Sequence, residues 1–114
     1  MRLAPVGVVA EKLRALSPEV RVVALIHARA HGAAARELAP RVASMLTDAE
    51  EVAWHATGAL GAIAAGAADA VPVLVGLLES RRDDRLVTRA LFGLARVGEA
   101  AAAALPAIEA FAEG

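Results

Sequence analysis

The sequence predicts an all-α chain, an α-solenoid of three helix pairs preceded by one additional helix, and three observations carry that prediction. The composition is 58% apolar, with 31 alanines and only three aromatic residues, which favours the best helix former over the strand formers. Apolar residues recur at i, i+4, i+8 and i+11, the spacing of one face of a helix. The chain also falls on itself at shifts of 32 and then 34 residues, so that "EVRVVALIHARAHGAAARELAPRVASML" lies over "EVAWHATGALGAIAAGAADAVPVLVGLL" and that over "RLVTRALFGLARVGEAAAAALPAIEAFA". A period in the low thirties with two helices per unit marks stacked repeats, which bury their apolar faces only against neighbours. A closed helical bundle is the competing architecture, and the constant register between repeats favours the stack.

Seven helices are expected, over 5–16, 18–31, 36–46, 50–64, 69–79, 84–97 and 101–112, grouped as a capping helix (1–16) and repeats one (17–48), two (49–80) and three (81–114). The first segment has Pro5 followed by Val9, Leu13 and Leu16, which reads as the second helix of an earlier unit lying over the apolar side of repeat one. Ser17-Pro18-Glu19 supplies an N-cap, a first-turn proline and an acid for the next helix. The first helices then present the stripes Val20, Ala24, Ala28 and His31; Val52, Ala56, Leu60 and Ile63; and Leu86, Ala90, Leu94 and Val97. Thr47 to Glu50 and Asp48 to Glu51 have capping-box spacing, and Asp83 and Asp84 serve the third repeat. Pro40, Pro72 and Pro106 align in the first turn of each second helix, where a missing N–H costs nothing. The stripes that follow them are Val42, Met45 and Leu46; Leu74, Leu77 and Leu78; and Ile108, Phe111 and Ala112.

The pattern V-R/x-x-A-x-x-A-L-G-x-I followed by V/L-P-x-L-x-x-L-L resembles the HEAT-like repeat family, especially the short phycobilisome-lyase type. Val52, Ala56, Leu60, Gly61, Ile63, Pro72, Leu74, Leu77 and Leu78 carry it best, and three copies span 17–114. Repeat one departs at Ala28-Arg29-Ala30-His31, and repeat three has Ala95 at the glycine position. The resemblance implies an interaction scaffold, with lyase-associated subunits and DNA-base excision enzymes as minority functions of such repeats.

Composition narrows the function further. There is no cysteine, hence no disulfide framework and no thiolate metal site, and a cytoplasmic location is the default. The opening "MRLAPVGVVAEKLRALS" is broken by charges before a signal sequence would finish, and no stretch has membrane-spanning character. Eleven arginines against one lysine, amid abundant Ala and Gly, fit a GC-rich, bacterial origin. Charge is uneven: residues 1–41 hold seven basic and three acidic side chains, whereas 42–80 hold five acidic and no basic ones. Such a gradient steers a charged partner or simply solvates helix faces.

Candidate site residues come from the helix faces. No Cys or Tyr is present, the serines lack a nucleophile motif, and carboxylates gather where helix starts explain them, so no catalytic residue and no cofactor site is assigned. His27 and His31 stand four apart in "HARAH", the spacing of two zinc ligands, but no third ligand is placed and His31 falls at a core position, so no metal site is expected. The acidic repeat two and Glu37 interrupt the basic run of Arg21, Arg29, Arg36 and Arg41, which argues against nucleic acid. The reading that remains is a non-enzymatic module binding a protein partner through its second-helix face, with Arg41, Ser44, Thr47, Val73, Gly76, Glu79, Glu109 and Glu113 as contacts. Trp54 and His55, in "AWHATGALGAIAAG" and off the buried stripe, are further candidates, since Trp is favoured at interface centres. The alternative is a lyase-like or nucleic-acid-processing catalytic fragment or subunit. Weak self-association through the terminal helices is also expected.

Overall fold

A computed structural model describes residues 2–80, 83–106, 109 and 110. Among the described residues, six α-helices of defined extent run in the order α1 (Val6–Lys12), α2 (Pro18–His31), α3 (Ala39–Ser44), α4 (Glu50–Ile63), α5 (Val71–Ser80) and α6 (Asp84–Val97), and Leu105, Pro106, Glu109 and Ala110 are also helical. Among the described residues there is no strand. Five of the six helices have seven residues or more, so the count falls short of seven. The shortfall has a local cause. The segments Gly32–Leu38 and Gly98–Ala104 wind as 3-10 helix, and Ala35 breaks the helical geometry at φ −101, ψ 16. The expected helix at 36–46 therefore begins at Ala39, and the one at 101–112 opens with 3-10 turns. Ile108, Phe111 and Ala112 lie outside the described residues.

The first helices hold the repeat. α2, α4 and α6 are each 14 residues long, and they start at residues 18, 50 and 84, the same 32 and 34 steps found in the sequence. α2 and α6 end alike: Gly32 sits at φ 60, ψ −137 and Gly98 at φ 76, ψ −136, a left-handed conformation open to glycine. Repeat two departs, since α4 ends at Ala64 in ordinary helical geometry and its left-handed glycine, Gly66, comes two residues later. α2 packs on α4 and α4 on α6, while α3 packs on α5. The closest neighbours along the chain are α1 with α2, α3 and its 3-10 extension with α4, and α5 with α6. A structural hairpin thus joins a second helix to the first helix of the following repeat.

The core lies between these layers. All members of the stripes on α4 and α6 are buried, as are Val42, Met45, Leu46, Leu74 and Leu78. Many are alanines, and the small side chains bring helices close. A β-carbon on Gly93 would lie 2.7 Å from Leu60 Cδ2 and 2.8 Å from Leu74 Cδ2, so only glycine lets α6 seat there. Val9 and Leu13 are buried under the N-terminal end as expected, but Leu16 is 97% exposed because α1 stops at Lys12 and Leu16 falls in the link beyond it. Val20 is exposed too, although its counterparts Val52 and Leu86 are buried, since the cleft between α1 and α2 stays open at that point.

Polar contacts pin the hairpin turns. Arg21 donates from Nε and Nη2 to the two carboxylate oxygens of Asp48, each at 3.0 Å, and from Nη1 to the carbonyls of Ala15 and Leu16 at 2.8 and 2.9 Å. One guanidinium thereby ties the α1–α2 link to the start of α4. Ser17 and Asp83 cap α2 and α6 by accepting from Val20 N–H and Leu86 N–H. The capping boxes expected at α4 do not form. Its N-cap is Ala49, the Thr47 hydroxyl donates to the Ser44 carbonyl, and Asp48 is held by Arg21 while accepting from Ala49 N–H.

Candidate binding surface

The histidine pair has a structural use. His27 Nδ1 accepts from the Ala4 N–H at 2.9 Å, and His31 Nε2 lies 2.6 Å from the Ala4 carbonyl oxygen, where a ring N–H donates. The i, i+4 spacing matches the two polar groups of one residue and clamps the segment before α1 onto α2. His27 Nδ1 and His31 Nε2 are thereby engaged by the backbone.

The second-helix candidates are spread over α3, its extension and α5. Arg41, Thr47, Gly76 and Glu79 are exposed, Ser44 is half-buried, and Val73 is half-buried against the core. The Ser44 hydroxyl donates to the Arg41 carbonyl and that of Thr47 to the Ser44 carbonyl, so both are spent within their own helical turns. Glu109 is exposed beyond Pro106, and Glu113 lies outside the described residues. This row is polar or small, with little exposed apolar area.

The first-helix row differs. Trp54 is 63% exposed on α4, and its ring meets that of His55 edge-on, with centroids 5.0 Å apart at 85°. One and two turns further along the same face come Gly58 and Gly61. A β-carbon on Gly58 would lie 3.0 Å from Arg29 Nη1, and one on Gly61 would lie 3.1 Å from Phe92 Cζ. The two glycines make a shallow trough in α4, into which Arg29 leans from α2 and Phe92 from α6. Phe92 remains 41% exposed. Trp54, Arg29 and Phe92 therefore form one strip across three helices, composed of residue types that anchor protein interfaces. No motif marks Arg29 or Phe92: in register they align with Gly61 and Gly58, whereas in the fold they lean on Gly58 and Gly61.

Charges at the start of the row are paired. Arg89 Nη2 lies 2.6 Å and Arg85 Nη1 3.3 Å from the Glu50 carboxylate. The Arg89 hydrogen bond lowers the Glu50 carboxyl pKa below its ordinary value; desolvation opposes it, and the charges of Arg89 and Arg85 add to the lowering. Glu19 is lowered in the same direction, chiefly by the Ser17 hydroxyl donating to it at 2.7 Å. A 360 Å³ crevice lies beside Glu50, lined by Asp48, Asp83, Asp84, Arg85 and Arg89 among others. Four carboxylates and two arginines line it, and the arginines are both paired with Glu50. No family model, curated protein or solved structure matches the chain.

Proposed function

We propose that this protein is a non-enzymatic protein-binding module of the HEAT-like repeat type, whose helix pairs stack as an α-solenoid and whose first-helix row meets the partner. The observation that carries the reading is the exposed Trp54 with Arg29 and Phe92 beside it. A solvated helix face has no use for an indole at that exposure, whereas a partner surface with an apolar centre and a carboxylate for Arg29 would engage the whole strip. The equal first helices at 32- and 34-residue steps, and the matching ends at Gly32 and Gly98, support the stacked arrangement. The second-helix row supplies polar solvent-facing residues such as Arg41 and Glu79.

The test is capture of a partner from the native cytoplasm on the immobilised full chain, followed by affinity measurement with purified partner. Trp54→Ala is expected to weaken binding by roughly 30-fold, about 2 kcal/mol, as for an interface anchor. Glu79→Ala is expected to change it less than about twofold. The reverse dependence would move the site to the second-helix row.

A further inference from the structure

The α1–α2 end of the molecule is unusually apolar. Of the nine large apolar side chains exposed among the described residues, six belong to it: Leu3, Val8, Leu16, Val20, Val23 and Ile26. Between the two helices runs an open groove of 320 Å³, lined by Val9, Val20, Val23 and Ala24 and edged by Lys12, Glu19 and His27. The same register positions are covered inside the molecule. Ile26 corresponds to Gly58, which lies under Arg29 of α2, and to Phe92, which lies on Gly61 of α4. α4 and α6 therefore each have a preceding helix against this face, and α2 shows the same face to solvent.

We infer that a second copy of this chain covers the face, its α2 lying antiparallel on the first across a two-fold axis at Val23. The order of residues on α2 carries the choice of occupant. Glu19, Val20, Val23, Ile26 and His27 are disposed symmetrically about Val23, both along the helix and around it. Two antiparallel copies bring Val23 onto its own counterpart, Val20 to the level of the other copy's Ile26, and Glu19 to the level of its His27. Apolar residues meet apolar ones and an acid meets an imidazole, which is the self-complementarity that a two-fold interface requires. His27 is already set for this role. Because its Nδ1 accepts from Ala4 N–H, its proton is on Nε2, a donor for the facing carboxylate. The contact also continues the layer formed by α2, α4 and α6 across the axis. It uses none of the residues of the Trp54 strip: Arg29 is the strip's one member on α2, and it stands about 120° around that helix from Val23.

The experiment uses the full chain, which has no cysteine of its own. Sedimentation equilibrium should show a concentration-dependent dimer, with affinity at the weak end expected of a small interface. Val23→Glu should weaken the dimer by roughly tenfold or more, through an uncompensated charge at the axis. At concentrations where both chains are monomeric, its helical circular dichroism and melting temperature should be unchanged, since Val23 is 53% exposed in the single chain. Val23→Cys should oxidise to a disulfide-linked dimer, while Ala95→Cys, exposed at the opposite end of the row, should not. A chain that stays monomeric at all concentrations, or a dimer indifferent to Val23→Glu, would overturn the inference. Linkage of Val23→Cys chains only to Ala95→Cys chains would also overturn it, by showing a head-to-tail contact.

Discussion

The two helix rows solve different problems with the same alanine-rich material. In the first row, α2, α4 and α6 have equal lengths, side-chain caps at two of three starts, and exposed apolar groups at Val23, Ile26, Trp54 and Phe92. In the second row the α-helices are shorter and unequal, α3 and α5 are approached through 3-10 turns, and the outward residues of α3 and α5 are polar, small or proline. The difference shows where the repeat is enforced. The 32- and 34-residue steps are kept at the starts of α2, α4 and α6, whereas α3 and α5 differ in length.

The largest expected contrast concerns the arginines. Arg21 makes four hydrogen bonds from a side chain that is 17% exposed, two of them to Asp48. Arg21→Ala should lower the urea-unfolding free energy by about 2–4 kcal/mol, because it leaves a carboxylate and two carbonyls without their donor. Arg21→Lys should restore only part of this, since an ammonium cannot span the same acceptors. Arg41→Ala, at an exposed position of α3, should stay within about 0.5 kcal/mol. Equal losses at both positions would remove the distinction between the rows.

A pair of helical glycines sharpens the comparison with a smaller effect of opposite sign. In a helix interior, Gly→Ala ordinarily stabilises by about 0.5–1 kcal/mol. Gly76 on α5 has nothing within 4 Å of its missing β-carbon, so Gly76→Ala should show that full gain in thermal unfolding. Gly93 on α6 faces Leu60 and Leu74 at contact distances too short for a methyl group. Gly93→Ala should therefore destabilise by about 1–2 kcal/mol, overpacking outweighing helix propensity. Stabilisation at both sites would mean that α6 is seated less closely than described.

Much of the first row was legible in the sequence because periodicity and burial are coupled there. The three starts, the buried stripes of α4 and α6 and the exposure of Trp54 all follow from residue spacing. The second row was less legible. Ala-rich segments such as Gly32–Leu38 satisfy the pattern of an α-helix and of a 3-10 helix equally, and the tight turn at Gly32 decides between them. The box spacing gave the wrong cap because the Thr47 hydroxyl turns to the Ser44 carbonyl and Arg21, distant in sequence, takes the Asp48 carboxylate. His27 and His31 had a partner no motif reveals, the backbone of Ala4. Arg29 and Phe92 joined the surface only once the helices were side by side, since their placement depends on what Gly58 and Gly61 omit.

The central claim is that α6 lies on α4 in the register that sets Phe92 over Gly61 beside an exposed Trp54. Nuclear Overhauser contacts in the uniformly labelled chain test it most directly. Cross-peaks are expected between the Phe92 ring and the Gly61 α-protons, with those protons displaced from their random-coil shifts by the ring current, while the Trp54 ring shows contacts to His55. Unshifted Gly61 protons without a contact to Phe92 would contradict the register and, with it, the binding strip.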